Sequence, residues 1–440
     1  MKTKVLSATL LALTFFVSGY AQTVDKAKLD QFLDRLLEKN KGMGSLLIAK
    51  DGNVLYSHSF GYSQINGNEK KPLTAETKYQ ISSITKTYTA VMIFQLVEEG
   101  KLKLTDTLDK FFPQIPNATR ITMAQILGHR SGIHDPEPDG SWGLQPRSKD
   151  EVVARIAQGK PDFEPDTKVQ YCNACYVLLG YIVEKADGKS YAEALKDRIT
   201  SKLGLKNTYP GVNKAEPSRN EALAYRYIGG WGESAQLDFS VTGGAGAILS
   251  TPEEMAKFIQ ALFDLKLVSA DHLKQMMPVK DGEGLGMTTF TFAGKTLYGE
   301  TGGSGSTGAW LNYYPEEKLA IAYTTNGKIY PVKDIISGAL DVYWNRPFEI
   351  PNLEALALSP DILDRYVGAY VITGTPARVT FSRDGQTLFF QPAGNSAVPI
   401  EATAENKFKI DPFVIFEFDV AKGQVTINRA GQERIFTKEK

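Results

Sequence analysis

From Ser82 to Gly100 the chain carries no continuous polar face, because Ala90, Val91, Met92, Ile93, Phe94, Leu96 and Val97 crowd into one stretch. A helix that is apolar on all sides must be enclosed by other elements, and Gly100 is its natural stop. The chain must therefore build a core wide enough to surround a helix. Its 440 residues allow this, being about three times the usual ~150 residues per domain. Further helices are read at 29–37, where Leu29, Phe32, Leu33, Leu36 and Leu37 recur at helical spacing, and at 174–186 and 252–265. Segments 45–49 and 54–60, joined across Asp51-Gly52, read as a β-hairpin; 287–292, 296–300, 309–314 and 319–325 read as an antiparallel meander. Helices in the middle with strands on either side are segregated rather than alternating. That pattern predicts an α+β fold, an antiparallel sheet flanked by helices.

A proline-punctuated linker follows Trp344 and includes Pro347, Pro351 and Pro360. Beyond it, short apolar runs at 366–372, 378–382, 387–391, 408–411, 415–420 and 424–428 alternate with turns such as Asp384-Gly385 and Lys422-Gly423. They predict a small all-β barrel or sandwich. The expected organisation is a leader at 1–21, a main domain at 22–345, a linker at 346–360 and the β-module at 361–440.

The leader is read from Lys2 and Lys4, an apolar run at 5–17 and Gly19-Tyr20-Ala21, the order of a secretory signal peptide cleaved after Ala21. The run is shorter than the ~20 residues that a membrane span needs. A periplasmic or secreted protein with no membrane span is therefore expected. Fifty basic against fifty acidic residues leave no basic excess that would point to nucleic acid. The two cysteines, Cys172 and Cys175, are expected as free thiols, because a bridge at this spacing is strained inside a regular helix. A zinc set of these cysteines with His129 and His134 would be inverted in order relative to a zinc finger, and no metal is expected.

One S-x-x-K, Ser83-Ile84-Thr85-Lys86, opens the buried helix. Residues three apart share a helical face, so hydroxyl and amine point the same way. A serine hydroxyl needs a base to become a nucleophile, and a desolvated lysine is one. Further along stands Tyr171-Cys172-Asn173. A tyrosine relays protons, and an asparagine offers both a donor and an acceptor to a substrate amide. Gly303 to Gly308 fits G-x-G-x-x-G, but an apolar strand follows where a dinucleotide site needs a helix; G-x-S-x-G is absent. His58 is read as a surface residue on a strand. Trp142, Tyr225, Trp231 and Trp310 are candidates for a cleft wall, without assignment as ligand contacts.

Taken in order, 79–86, Ile126-Leu127-Gly128-His129-Arg130-Ser131-Gly132, Tyr171-Cys172-Asn173, Gly243-Gly244-Ala245-Gly246 and Gly299-Glu300-Thr301-Gly302-Gly303 resemble the serine β-lactamase and penicillin-binding-protein superfamily. The likeness spans roughly 46–326 and is nearest to class C β-lactamases, D,D-carboxypeptidases, D-aminopeptidases and related esterases. The C-terminal module looks like the lipocalin-like appendages of some members. The resemblance implies a β-lactamase/transpeptidase-like fold with Ser83 as acylated nucleophile, Lys86 as its base partner and Tyr171 sharing proton transfer. It implies Asn173, Glu300, Thr301 and Gly302 as substrate contacts, and the backbone N–H groups of Ser83 and Gly303 as an oxyanion hole. His129 falls in a His-x-Ser-Gly turn. No cofactor is implied.

The family's third motif begins with Lys or His, and here Glu300 stands in that place. It is expected at a strand end facing Ser83 and Lys86, where an ionised carboxylate repels a substrate carboxylate. Pairing with Lys86 would raise the lysine's pKa and weaken the base. The expected function is a serine hydrolase of amides or esters, acting on D-amino-acid-containing peptides or small esters. A class C-like β-lactamase is the alternative enzyme, and a catalytically weak binding protein for cell-wall peptides is the alternative of another class.

Overall fold

Strand β1 (Gly42–Lys50) and strand β6 (Leu319–Lys328) are buried along nearly their whole lengths. Both lie inside a sheet covered on its two faces. In a computed structural model that describes residues 24–136, 140–278, 283–395, 397–411, 413–429 and 431–439, β2 (Asn53–Phe60), β3 (Thr288–Phe292), β4 (Lys295–Ser304) and β5 (Thr307–Tyr314) complete that sheet. Its order is β3-β4-β5-β6-β1-β2 and every pair is antiparallel. The leader expected at 1–21 lies outside the described residues.

Period-two alternation sends Leu46, Ile48, Ile321 and Tyr323 to one face, against helix α1 (Lys26–Glu38) and the C-terminal helix Val332–Tyr343. Leu47, Ala49, Ala320 and Ala322 go to the other face, into the helical body. That body surrounds helix α2 (Thr85–Glu98), every one of whose residues from Thr85 to Leu96 is buried. The all-round apolar segment is thus enclosed as its composition demands. Helix α3 (Asn173–Asp187), helix α4 (Phe239–Gly246) and helix α5 (Pro252–Phe263) pack around it. Close approach of α3 to α4 depends on glycine, because a Cβ on Gly180 would meet Gly244 Cα at 3.0 Å.

Sequence patterning does not reveal that the N-terminal hairpin closes the sheet by pairing β1 with β6, Gly42 opposite Lys328 and Lys50 opposite Leu319. It also leaves the helix Val332–Tyr343 unread. The C-terminal module resolves as a closed eight-stranded barrel rather than a sandwich. Two of its strands, Val398–Ala404 and Gln432–Lys438, escape the sequence reading. Each buries only one residue, Ile400 and Phe436 respectively. Residues 345–358 tie barrel to body: Phe348 packs on Phe32 (ring centroids 5.1 Å apart), and Leu358 belongs to the barrel core. Lys41 Nζ donates to Glu401 at 2.6 Å across the junction.

The C-terminal ends of α2 and α3 are clamped by one guanidinium. Arg198, 7% exposed, donates to both oxygens of Asp187 (2.7 Å each) and both of Glu99 (2.8 and 3.0 Å). These bonds to Arg198 hold each carboxyl down at about 2. Both folded-state pKa values lie below the ordinary 4.5 and 3.8. The stability they contribute is therefore present above those ordinary values and lost as pH falls toward 2. Arg198→Ala is expected to cost about 1–3 kcal/mol, because the buried Asp187 side chain loses its bidentate partner while Lys101 still pairs with Asp187 and with the half-exposed Glu99. Urea unfolding at pH 7 measures this cost, and its shrinkage between pH 4 and pH 2 checks the assignment.

Candidate active site

The turn that presents Ser83 is tight. Tyr79–Gln80 is a short strand, Ser82 takes a positive φ of 47°, and the 3-10 turn Ser82–Ile84 runs directly into α2. A non-glycine residue in the left-handed region is strained, and such strain persists where surrounding structure enforces it. Lys86, three residues after Ser83 and second in α2, is 1% exposed. Its Nζ donates to Ser83 Oγ at 3.0 Å, Asn173 Oδ1 at 2.9 Å and Ala245 O at 3.1 Å. Tyr171 Oη donates to Ser83 Oγ at 2.6 Å. Although Tyr171 is 43% exposed overall, its hydroxyl faces inward, and burial pushes its pKa above that of an ordinary phenol. Burial likewise pushes the Lys86 amine down, against the opposing pull of Glu300 and Asp135.

Asn173 is oriented by a residue the sequence reading missed. Asp135 accepts from Asn173 N (2.7 Å), Asn173 Nδ2 (3.0 Å) and Ala174 N (2.9 Å), capping the first turn of α3. With Nδ2 engaged there, Oδ1 is left to face Lys86. A single acid in a loop 38 residues upstream carries no periodic or motif signal. His129 lies behind Tyr171, with rings 4.7 Å apart, and its Nδ1 accepts from Cys172 N at 3.1 Å. Burial holds His129 down at about 3, so it is a neutral positioning residue.

Cys172 and Cys175 are bridged, contrary to the free thiols expected. Cys172 is the N-cap of α3 with extended φ −144° and ψ 110°, so only Cys175 lies inside the helix. The Cα atoms are 5.4 Å apart, within the ordinary ~4.4–6.8 Å. The strain anticipated for two cysteines in one regular helix does not arise.

Glu300 stands on β4 and is 7% exposed. One of its oxygens accepts from Thr301 N at 2.8 Å. Burial raises its pKa, while that hydrogen bond and the Lys86 charge oppose the rise and Glu283 reinforces it. Lys86 and Glu300 feel each other without direct contact, Lys86 Nζ being held by Ser83, Asn173 and Ala245. The Glu300 charge raises the Lys86 pKa through space and not by pairing, and desolvation outweighs it. Beyond Glu300, the edge of β4 lies flat against the Ser83 turn, where a Cβ on Gly302 would meet Ile81 O at 2.2 Å and Ser83 N at 3.1 Å. Gly303 follows directly. A cavity of about 210 Å³ opens beside Ser83, with Asp135 and Gly303 on its lining and Trp142, Val152, Ile156 and Val177 among its apolar walls. Arg155 also lines it, lying over the Trp142 ring at 4.5 Å.

Lys86 and Tyr171 converge on the Ser83 hydroxyl, and Asn173 holds the same lysine. The family model for beta-lactamase matches residues 29–338. The chain belongs to the beta-lactamase family. It is a serine hydrolase. Among relatives of this beta-lactamase-family chain, penicillin-binding protein 4* of Bacillus subtilis (strain 168) is 27% identical over 86% of the chain and 90% of its own length. The D-alanyl-D-alanine-carboxypeptidase/endopeptidase AmpH of Escherichia coli (strain K12) is 24% identical over 73% and 90%. Among solved structures, D-amino acid amidase from Ochrobactrum anthropi SV3 superposes with a TM-score of 0.65 at 25% identity, over 72% of this chain and 98% of its own. The octameric penicillin-binding protein homologue from Pyrococcus abyssi gives 0.64 at 25% identity, over 94% and 100%.

In this beta-lactamase-family enzyme, Gly302→Ala is expected to push β4 off the Ile81–Ser83 backbone. A displacement on the order of 1 Å costs roughly 100-fold in turnover. Steady-state kinetics check this, and circular dichroism establishes that the variant stays folded.

Proposed function

We propose that the chain is a secreted hydrolase that cleaves amides or esters through a Ser83 acyl-enzyme, on small D-amino-acid-containing substrates with an amine or a neutral terminus. The observation that carries it is the pair of hydrogen bonds meeting at Ser83 Oγ, from Lys86 at 3.0 Å and Tyr171 at 2.6 Å. Asn173 Oδ1 and Ala245 O are acceptors only. A neutral Lys86 therefore keeps its two N–H groups for them and turns its lone pair to Ser83. The Ser83 proton passes to Lys86 as Oγ attacks the carbonyl, and the N–H groups of Ser83 and Gly303 receive the oxyanion. Tyr171, held as a phenol, relays a proton to the leaving group; water then repeats the sequence and frees Ser83.

Asn173 orients the scissile group, and Thr301 and Gly302 supply the strand edge along which substrate lies. Glu300, Glu283 and Asp135 all act electrostatically on Lys86, Tyr171 or each other. That acidic surround favours an amine over a carboxylate, and the neighbouring cavity suits an apolar side chain. The D-configuration follows the D-amino acid amidase likeness. The test compares D-phenylalanine p-nitroanilide, its L-enantiomer, a D-Ala-D-Ala-terminated peptide and a chromogenic cephalosporin. The D-amide is expected to lead the others by about tenfold or more in kcat/KM, equivalent to about 1.4 kcal/mol. Preference for the cephalosporin or the free carboxylate terminus would return the chain to β-lactamase or carboxypeptidase chemistry.

A further inference from the structure

Helix α4 is broken inside its length. Gly243 takes φ 39° and ψ −130°, so the chain leaves the helical path at that residue. Glycine accepts such a conformation freely, whereas an L side chain there crowds the backbone. Lack of room is not what keeps a side chain out, because a Cβ on Gly243 would meet nothing nearer than Val177 Cγ1 at 3.8 Å. Its neighbour differs: a Cβ on Gly244 would strike Tyr176 O at 2.6 Å. Gly244 is required by packing, and Gly243 by the path of the backbone.

That path decides where the next three carbonyls go. The last carbonyls of a helix have no N–H of their own helix to accept from. Here each meets a side chain. Gly244 O accepts from Thr89 Oγ1 at 2.7 Å, Ala245 O from Lys86 Nζ at 3.1 Å and Gly246 O from Gln80 Nε2 at 3.0 Å. Ile248 N, two residues on, donates to Thr85 Oγ1 at 3.2 Å. All four partners lie on the strand before Ser83 or in the first turns of α2. The Ala245 carbonyl is thus pinned from both sides and falls on Lys86.

We propose that Gly243 is a positioning residue for the base: its non-helical backbone holds the Ala245 carbonyl on Lys86 Nζ. This rests on the acyl-enzyme reading, in which neutral Lys86 directs one N–H to Asn173 Oδ1 and one to Ala245 O, and so turns its lone pair to Ser83. Without Ala245 O the amine has one fixed acceptor, rotates about it, and its lone pair leaves Ser83. The same carbonyl stabilises the ammonium formed when Lys86 takes the Ser83 proton. Its loss slows proton transfer and also makes the ammonium more acidic. The titratable groups that face Lys86 are Glu300 on β4, Asp135 ahead of α3, Tyr171 and Tyr176 at the start of α3, and His129 behind them. Helix α4 carries none, so a change at Gly243 reaches Lys86 through the backbone.

The test follows the second-order rate of fluorophosphonate labelling of Ser83 in the full chain between about pH 5 and pH 10. Wild type is compared with Gly243→Ala, Gln80→Met and Gly188→Ala. Gly188 ends α3 at φ 65° with open space at its Cβ position, so Gly188→Ala strains the backbone away from Lys86. Gly243→Ala is expected to slow labelling by about 10- to 100-fold, the worth of one hydrogen bond to a charged group. Its acidic limb should move to lower pH by about half a unit or more. Gln80→Met, which frees Gly246 O, should shift both in the same direction by less, and Gly188→Ala should shift neither. A general loosening of the fold lowers the labelled fraction without moving the limb. A plateau rate and limb in Gly243→Ala equal to those of Gly188→Ala would overturn the proposal. If Gly243→Ala does not fold, Gln80→Met decides: a shifted limb supports the proposal and an unmoved one overturns it. A wild type that is not labelled on Ser83 overturns the acyl-enzyme reading and the proposal with it, whereas a labelled wild type with unmoved variants overturns the positioning role alone.

Discussion

Ser83→Ala is expected to lower kcat/KM by about 10⁴-fold or more on every accepted substrate, and Lys86→Ala by a similar amount, because residues that act as one unit are strongly non-additive. The fold should survive the first change. Ser83 is only half-buried, and Lys86 retains Asn173 Oδ1 and Ala245 O as acceptors when the hydroxyl is gone. A stability loss within about 1 kcal/mol is expected, the ordinary scale for a small truncation that opens no large void. Steady-state kinetics paired with urea unfolding separate the two quantities. Turnover within tenfold of wild type in Ser83→Ala would remove the nucleophile from the proposed mechanism.

Glu300 is expected to set both the pH profile and the response to β-lactams. Lys86 serves as base only when neutral, so kcat/KM rises with pH through its pKa. Burial already depresses that pKa, and the Glu300 carboxylate pulls it back up. Removing the negative charge in Glu300→Gln therefore moves the acidic limb to lower pH, by about one unit, the scale of a single nearby charge. A positive charge in Glu300→His or Glu300→Lys moves it further and also attracts the carboxylate that penicillins carry. Covalent labelling by a fluorescent penicillin should rise in both variants relative to wild type. An unchanged pH limb together with unchanged penicillin labelling would reduce Glu300 to a buried structural acid.

What sequence could show divides along physical lines. Segments whose burial is written in local composition or periodicity were legible: the all-round apolar α2, the half-buried hairpin strand β2, and the helix α5 with Pro252 in its first turn. Ser83, Lys86, Tyr171 and Asn173 were legible because short motifs on two helix starts carry them, and the fold brings all four within hydrogen-bond reach. Features that depend on pairing distant segments were not legible. The β1–β6 pairing joins residues nearly 280 positions apart, and the strand Gln432–Lys438 has one buried residue to announce it. Asp135 was invisible for the same reason, since a lone loop carboxylate acquires meaning only when α3 starts against it. The disulfide was misjudged because its feasibility turns on one residue, Cys172, leaving the helix for an extended N-cap.

Covalent chemistry at Ser83 can be seen directly. Wild-type protein, Ser83→Ala and Lys86→Ala would each be treated with a fluorophosphonate and with a slowly deacylating ester, then weighed intact and mapped by peptide mass spectrometry. A single adduct on the peptide containing Ser83 is expected in the wild type, absent from Ser83→Ala and strongly slowed in Lys86→Ala. An adduct on another residue, or one that persists in Ser83→Ala, would contradict the acyl-enzyme mechanism.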